Sequence, residues 1–432
     1  MSGEWATTSL AELCHPERSI TYGIVQPGSE TDDGVPIVRV NNFAEGGIDL
    51  NDLKRVSPNI EAEYERSRLR GGELLVTLVG SIGQAAIAPN ATIGFNVARA
   101  VGVIPISNPL NAQWAFYMIT SIEAQKFILS RANTTVQATF NLKDLSALKI
   151  PFPPEATRYA IVQLLSALDD KIALNRRKAG TLEGIARALF QSWFVDFDPV
   201  RRAIAGQDPG LPASLAAMFP ATLTHDGLPE GWTMEHVGDV FDIVAGNTPS
   251  TEQARFWGGT HAWATPKDLS KLNAPILLTP ERALTDEGLR ACSSGLLPAG
   301  TLFLSSRAPI GYLAFVNQPT AINQGIAAFR RKNVSTSFAW AWCQANMALI
   351  VASANGSTFL EISKGVLRQL PMVQAPEAII RAFAEIADPL VDRIVALVQQ
   401  NTTLAALRDT LLPKLISGEL RVSDAETIAA GV

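Results

Sequence analysis

Apolar residues recur in alternating steps of four and three along residues 161–193. The positions are Ile161, Leu165, Leu168, Ile172, Asn175, Ala179, Leu182, Ala186, Leu189 and Trp193. A repeat of this kind predicts a helix whose apolar seam packs against another helix. Such a helix of about 35 to 40 residues would be roughly 55 to 60 Å long, which exceeds what a small core requires.

The same pattern is written a second time, because residues 161–196 align without a gap onto residues 383–418. The second seam is Phe383, Ala387, Leu390, Ile394, Leu397, Asn401, Leu404, Arg408, Leu411 and Leu415. Asn175 and Asn401 interrupt the two seams, and each is expected to set helix register at some cost in stability. We predict a start or kink at Asp388–Pro389, an irregularity at Pro413 and a stop at Gly418.

A second correspondence precedes each predicted helix. GELLVTLVGSIG (72–83) matches GTLFLSSRAPIG (300–311), Trp5 matches Trp232, and Asn96 falls on Asn323. The segments PIVRVNNF, ELLVTLVG and AVGVIPIS have the β-branched residues of strands, and HAWATPKDL, TLFLSS and GIAAFR are their counterparts. Residues 114–130 and 337–353 are apolar at helical spacing. Each half is therefore predicted to be one β-rich globular unit with some helix, followed by one helical arm.

The first helical pattern ends in an unusual aromatic stretch, ALFQSWFVDFDP (188–199). Phe190, Trp193, Phe194 and Phe197 are too many for a contact between two helices. Two interpretations remain open: a hydrophobic plug under the neighbouring globular unit, or a contact with a partner subunit. Residues 198–228, rich in Pro, Gly and Ala, are predicted to be a linker, and residues 421–432 a flexible tail.

Length and composition narrow the class of protein. At 432 residues, two or more domains are expected. The sequence shows neither a signal peptide nor an apolar run long enough for a membrane span, and three scattered cysteines suit a reducing cytoplasm. The net charge of −5 gives no global attraction for nucleic acid, so DNA binding would require local basic patches.

ALFQSWFVDFDPV and LRDTLLPKLISGEL (407–420) together resemble the two central motifs of the specificity subunit of type I restriction-modification systems, and the similarity covers essentially the whole chain. The resemblance implies an α+β fold in which two target recognition domains are separated by an antiparallel coiled-coil pair of long helices. The implied boundaries are recognition domains at 1–153 and 229–375, helices at 154–197 and 376–420, the linker at 198–228 and the tail at 421–432.

The same resemblance implies a subunit without catalytic residues, cofactor or metal of its own. Each domain would read one half of a bipartite site in double-stranded DNA. Two modification subunits would use S-adenosylmethionine to methylate adenine, and the sequence does not decide whether restriction subunits, which use ATP and Mg, join them. Neither GxxxxGK[ST], GxGxxG nor an adenine-methyltransferase tetrapeptide occurs in the chain.

Candidate DNA contacts are basic and amide side chains near the predicted strands. They are Arg39, Asn41, Asn42, Lys54, Arg55, Arg68 and Arg70 in the first half, and Arg255, Lys267, Lys271, Arg307 and Lys364 in the second. Arginine can pair with guanine and asparagine with adenine, whereas phosphate contacts position without specifying. Turn polarity or an ordinary solvated surface is the alternative. Asn96 and Asn323 are expected to cap turns rather than read bases.

Candidate partner-subunit contacts are the apolar side chains at the ends of the two helices. They are Phe190, Trp193, Phe194, Phe197, Leu412 and Leu415. A duplicated protein-interaction adaptor that does not bind DNA is the alternative function, which the negative net charge mildly favours.

Overall fold

The two heptad patterns form two long helices, which we call the first long helix, Glu155–Phe190, and the second long helix, Glu377–Ser417. The structure is a computed structural model that describes residues 5–44, 47–132, 139–307, 309–332, 334–356 and 360–431. The chain divides into a first unit, residues 1–172 with 403–432, and a second unit, residues 173–402. Each unit therefore contains part of both long helices.

The first long helix passes into one turn of π-helix at Gln191–Val195. The second long helix is continuous through Pro389 and Pro413, so the predicted start at Asp388–Pro389 is wrong, while the kink there and the irregularity at Pro413 stay predictions. Pro389 is exposed and so is Glu385, whose carbonyl loses its hydrogen-bond donor to the proline ring; water can satisfy it there. The predicted stop is confirmed, because Gly418 follows the last residue with a φ of +73°.

In the second unit the two long helices run antiparallel. Asn175 Nδ2 donates to Gln400 Oε1 (2.9 Å) and to Asn401 Oδ1 (3.0 Å), whereas Phe190, further along, packs against Phe383 at 5.8 Å between ring centroids. Asn175 and Asn401 thus meet in one polar contact inside the seam, which fits the predicted role in fixing register.

In the first unit, the second seam contains the polar residue Arg408, which pairs with Asp169 of the first long helix. Arg408 Nη1 donates to Asp169 Oδ1 at 2.6 Å, and Asp169 Oδ2 accepts the Tyr117 hydroxyl at 2.8 Å. Burial and the Asp169 charge raise the pKa of Tyr117 far above its usual range, so the phenol remains a donor. Asp169 therefore connects a globular-unit helix to both long helices.

The globular part of the first unit consists of short strands around buried helices. The strands are Thr7–Ser9, Thr21–Tyr22, Val35–Val38, Phe43–Ala44, Gly47–Ile48, Lys54–Val56, Leu74–Thr77, Ala85–Ile87, Asn96–Val97, Val101–Ile104 and Lys149–Pro151. The helices are Leu10–Leu13, Pro58–Ala62, Pro109–Thr120, Ile122–Arg131, Leu142–Ala147 and Val422–Ala430, with 3-10 turns at Val40–Asn42, Glu65–Ser67 and Asn90–Thr92.

The second unit repeats this arrangement. Its strands are Thr233–His236, Asp242–Ala245, Trp257–Ala264, Ile276–Leu277, Arg282–Leu284, Leu302–Ser306, Ile310–Val316, Thr320–Ile322, Ile326–Arg330 and Pro371–Gln374. Its helices are Asp198–Ile204, Ala213–Ala216, Val237–Val240, Pro266–Leu269, Asp286–Arg290, Thr336–Ala345, Met347–Ala352 and Lys364–Arg368, with a 3-10 turn at Ala254–Phe256.

Sheet topology confirms the internal repeat. In the first unit, Val35–Val38 lies between antiparallel Lys54–Val56 and parallel Asn96–Val97. In the second unit, Trp257–Ala264 lies between antiparallel Arg282–Leu284 and parallel Thr320–Ile322. The mixed α and β fold class is therefore confirmed, and both halves share this three-stranded sheet with the same strand directions.

The register corrects one pairing of the repeat. Val38 pairs with Val97, and its counterpart Ala264 pairs with Ile322, so Asn96 is equivalent to Ala321 and not to Asn323. Small differences in loop length hide this two-residue slip in the sequence. Asn323 does form a turn, accepting the Gly325 N–H at 2.9 Å, as expected.

The segments expected to be linker and tail contain packed helices. Val200 is fully buried and Phe219 nearly so in the core of the second unit, and Ala425 is fully buried in the first unit. The predicted flexible tail is wrong over Val422–Ala430, because the helix buries apolar surface that a frayed end would expose. Among the described residues, none of the helices combines the length and the hydropathy that crossing a membrane demands.

Two glycines allow neighbouring strands to approach the chain closely. A Cβ at Gly23 would lie 1.7 Å from the Val97 carbonyl oxygen, and one at Gly246 would lie 1.9 Å from that of Ile322. Since Val97 and Ile322 are equivalent, the same close approach is built twice.

We expect Gly246→Ala to destabilise the protein by about 1 to 3 kcal/mol, since the backbone must shift to admit the methyl group. Gly180→Ala is the matched control in the same unit, because Gly180 is an exposed helical residue with open space around its Cβ. It should stabilise by up to about 1 kcal/mol. Urea unfolding followed by tryptophan fluorescence measures both; equal effects would contradict the packing argument.

Candidate nucleic-acid interface

The turn after the strand Val35–Val38 holds three of the candidate DNA contacts. Asn42 is buried, with its Oδ1 accepting the Arg39 N–H at 2.9 Å and its Nδ2 donating to the Asp52 carbonyl at 2.8 Å. The Arg39 guanidinium donates to the same carbonyl and lies 3.6 Å from the Asp52 carboxylate. Asn42 therefore builds the turn, which is the alternative raised from the sequence, while Asn41 is exposed.

The equivalent turn in the second unit uses a carboxylate for the same purpose. Asp268 Oδ2 accepts the Thr265 N–H at 2.8 Å, and Oδ1 accepts the Glu281 N–H at 2.8 Å. Lys267 and Lys271 both bind the Glu281 carboxylate, at 3.2 Å from Lys267. These hydrogen bonds hold the pKa of Glu281 below its usual range. The two lysines are exposed but partly neutralised.

A buried polar network engages Arg68. Its guanidinium makes a bidentate contact with Glu61, at 2.8 Å and 2.6 Å, and Asn96 Nδ2 donates to Glu61 at 3.0 Å. The Arg68 hydrogen bonds hold the pKa of Glu61 below its usual range. Asn96 also accepts the Ser67 hydroxyl at 2.7 Å. Arg68 and Asn96 thus have structural partners, and for Asn96 this agrees with the expectation that it does not read a base.

Most of the remaining candidate cations also bind acceptors within the chain. Lys54 Nζ donates to the Gly28 carbonyl and Arg55 to the Gly34 carbonyl, each at 3.0 Å. Arg255 lies 3.5 Å from Glu287. Arg70 is exposed, and its side chain forms no hydrogen bond or ion pair within the part of the chain that the structure describes.

Arg307 and Lys364 lie in one partly buried cluster. Arg307 is 3.8 Å from Glu361, and Lys364 Nζ donates to Ser306 Oγ at 3.0 Å and to the Gln324 carbonyl at 2.5 Å. Burial lowers the pKa of Lys364, and Arg307 adds to the effect. The structure therefore brings these two candidates together.

Arg282 was not among the residues predicted from the sequence, and neither were Trp257 and Trp263, the two tryptophans beneath its guanidinium. The guanidinium of this exposed arginine lies 3.5 Å from the centre of the Trp257 ring. No sequence motif marks the contact, since residues 257 and 282 meet only through strand pairing. A free edge of a stacked guanidinium can make bidentate hydrogen bonds, which makes Arg282 a further DNA-contact candidate.

The six side chains predicted to contact partner subunits are buried within this chain. Phe190, Trp193, Phe194 and Phe197 belong to the core of the second unit, and Leu412 and Leu415 to that of the first, with accessible fractions of 1% to 7%. Phe194 packs on Trp232 and Phe338 at 5.7 Å and 4.9 Å between ring centroids. Of the two interpretations of the aromatic stretch, the structure shows the hydrophobic plug. Because these side chains are buried within the chain, they do not form an exposed surface for a partner subunit.

A cysteine next to a histidine is one pattern of a nucleophile with its base, but the Cys14 and His15 side chains bind different partners. Cys14 Sγ donates to the Leu10 carbonyl at 3.3 Å, whereas His15 Nδ1 accepts the Glu17 N–H. Burial raises the pKa of the Cys14 thiol to about 11, so the thiol stays protonated at neutral pH.

We expect Arg68→Ala to destabilise the protein at pH 7 by about 1 to 3 kcal/mol, because it leaves the buried Glu61 carboxylate without its main donor while solvent screens part of the loss. A depressed pKa contributes stability above the unfolded pKa of about 4.3 and loses it as the pH falls. The difference between variant and wild type should therefore shrink below about pH 4. Urea unfolding at pH 7 and at pH 3.5 measures it.

Arg66→Ala is the control for this prediction. Arg66 is exposed and makes no hydrogen bond or ion pair to any described residue, so its loss should change stability by less than about 0.5 kcal/mol at either pH. A penalty for Arg68→Ala that does not vary with pH would contradict the assignment to Glu61.

Comparison with known proteins agrees with the duplicated fold. The model of the family described as type I restriction modification DNA specificity domain matches residues 3–183 and 229–392. The specificity subunit of the type I restriction enzyme HindI from Haemophilus influenzae is 26% identical over 366 residues, which cover 73% of this chain and 79% of that protein. The EcoBI specificity subunit from Escherichia coli is 32% identical over 166 residues, covering 38% of this chain and 35% of that protein.

A solved structure shows the same fold. The crystal structure of a type I restriction-modification system S subunit from M. genitalium matches with a TM-score of 0.51 and 16% identity, covering 95% of this chain and 96% of that one. The family model matches both globular repeats and reaches into both long helices. The chain therefore belongs to the family of type I restriction-modification DNA specificity subunits.

Proposed function

We propose that this chain is the non-catalytic, sequence-reading subunit of a type I restriction-modification complex, with each globular repeat reading one half of a bipartite DNA site. The observation that carries the proposal is the duplication itself. The same three-stranded sheet, with the same strand directions, occurs in both halves, and a DNA-specificity family model matches each half. Two copies of one reader need two target segments, and a bipartite site supplies them.

Side-chain differences at equivalent positions support two different half-sites. The first unit has Lys54 opposite Ile37, where the second has Arg282 opposite Trp263. Two units with the same backbone arrangement but different polar side chains suit two different DNA sequences. Each base pair presents its own pattern of donors and acceptors in the major groove, and particular side chains match it. A non-palindromic site follows from this difference.

Catalysis in this proposal belongs to partner subunits. Two modification subunits would supply S-adenosylmethionine and methylate adenine, a step that requires the base to leave the helical stack. Restriction subunits would be further partners that use ATP and Mg. The adaptor alternative has less support, because the matching family model is one of DNA specificity.

The charge distribution favours weak binding by the chain alone. Net charge is −5, and the acids Glu61, Glu281 and Glu287 engage several of the candidate cations. Non-specific affinity for DNA depends on the number of phosphates that free cations neutralise. Tight binding is therefore a property of the assembled complex.

We expect a host that expresses this chain together with its modification subunits to carry methylated adenine at one bipartite motif. Exchanging residues 1–153 for the corresponding segment of a relative should change one half of that motif and leave the other half unchanged. Whole-genome detection of methylated adenine measures both. Absence of any motif in the wild-type host would contradict the function, and a motif altered in both halves would contradict the division between repeats.

A further inference from the structure

We infer that Arg282 is a base-reading residue of the second unit, held on an aromatic platform for contact with a guanine in one half-site; the inference rests on the proposed function. The observation is the geometry of the side chain. Its guanidinium carbon lies 3.5 Å from the centre of the Trp257 ring and 5.4 Å from that of Trp263. A guanidinium that stacks on an indole keeps its donor edges free.

Trp257 and Trp263 form the aromatic platform, and their packing and hydrogen bonds fix its position. Trp257 and Trp263 pack edge to face, with ring centroids 4.9 Å apart. The Trp257 indole N–H donates to the Ser250 carbonyl at 3.1 Å, and the Trp263 indole N–H donates to the Asn247 carbonyl at 3.4 Å. Since Trp263 is buried in the sheet, the stack holds Arg282 in one place before any ligand binds.

The acids around the platform have other partners. Glu281 binds Lys267 and Lys271, Asp286 binds His261 at 2.6 Å, and Glu287 lies near Arg255. The Arg282 side chain makes no hydrogen bond or ion pair with the residues that the structure describes. Its donors are therefore available, in contrast to those of Arg68, which Glu61 occupies.

The position of Arg282 in the repeat connects it to recognition. The strand registers place Trp263 opposite Arg282 and, in the first unit, Ile37 opposite Lys54. Both repeats thus have a cation at one equivalent place, and within the described residues only Arg282 of the two lies over aromatic rings. A planar fork recognises O6 and N7 of guanine together, whereas an ammonium group makes a point contact.

The test compares Arg282→Ala and Arg282→Lys with wild type in the complete complex with its modification subunits. The substrates are duplexes with the wild-type methylation motif, and variants of it with each base pair exchanged in turn. We expect both substitutions to reduce discrimination at one guanine position by between about 5-fold and 150-fold, and to leave the other half-site unchanged. Arg282→Lys should fail because lysine keeps the charge but loses the fork.

Arg331→Ala is the matched control, since Arg331 is an exposed arginine of the same unit that makes no hydrogen bond or ion pair with the described residues. It should leave the discrimination profile unchanged. A uniform loss of methylation that Arg282→Lys restores would show a phosphate contact and overturn the inference, as would an unchanged profile for Arg282→Ala. If wild type itself gave no motif, the proposed function would fail rather than this assignment.

Discussion

In each unit, the seam of the long helices and the adjoining part of the globular core form one continuous hydrophobic cluster, and smaller separate clusters make up the rest of the core. In the first unit the strand residue Leu74 and the helical residue Trp114 share a cluster with Leu165 and Leu411 of the long helices. In the second unit Leu302 and Phe338 share one with Ala186 and Ile379. Burial of apolar surface is non-directional and cooperative with close packing. The helices are therefore structural parts of each reader, and a substitution in a seam is expected to affect the sheet packed on it.

Polar interruptions give these apolar seams their specificity. The contact of Asn175 with Gln400 and Asn401 in the second unit, and that of Arg408 with Asp169 in the first, each replace a hydrophobic layer with directed hydrogen bonds. A purely apolar seam can shift by a heptad and still pack. The same shift would leave the Asn175 amide or the Arg408 guanidinium without its hydrogen-bond partner, which costs free energy. Each unit thus gives up some packing free energy to define one register.

Periodicity predicted the long helices, their internal repeat and the strand-rich globular parts, because spacing of apolar residues survives without knowledge of tertiary contacts. It failed where tertiary contact decides the outcome. Pro389 lies inside a helix because it is on the exposed face, where water can replace the lost hydrogen bond. Residues 422–430 form a helix because Ala425 packs into the core of the first unit. The pairing of Asn96 with Asn323 was off by two residues, which only the strand register reveals.

The same limit governs the candidate DNA contacts. A basic residue in the sequence has an unknown partner, and Glu61, seven positions before Arg68, occupies that guanidinium only because a helix and a 3-10 turn bring the two together. Asn42 and Asp268 hold equivalent turns with an amide and a carboxylate, so side-chain chemistry at this place follows the needs of the backbone. Base reading is then left to side chains that the fold holds in place while their hydrogen-bond donors stay free. Whether the donors are free distinguishes a base-reading residue from a structural cation, and this depends on side-chain orientation rather than on composition.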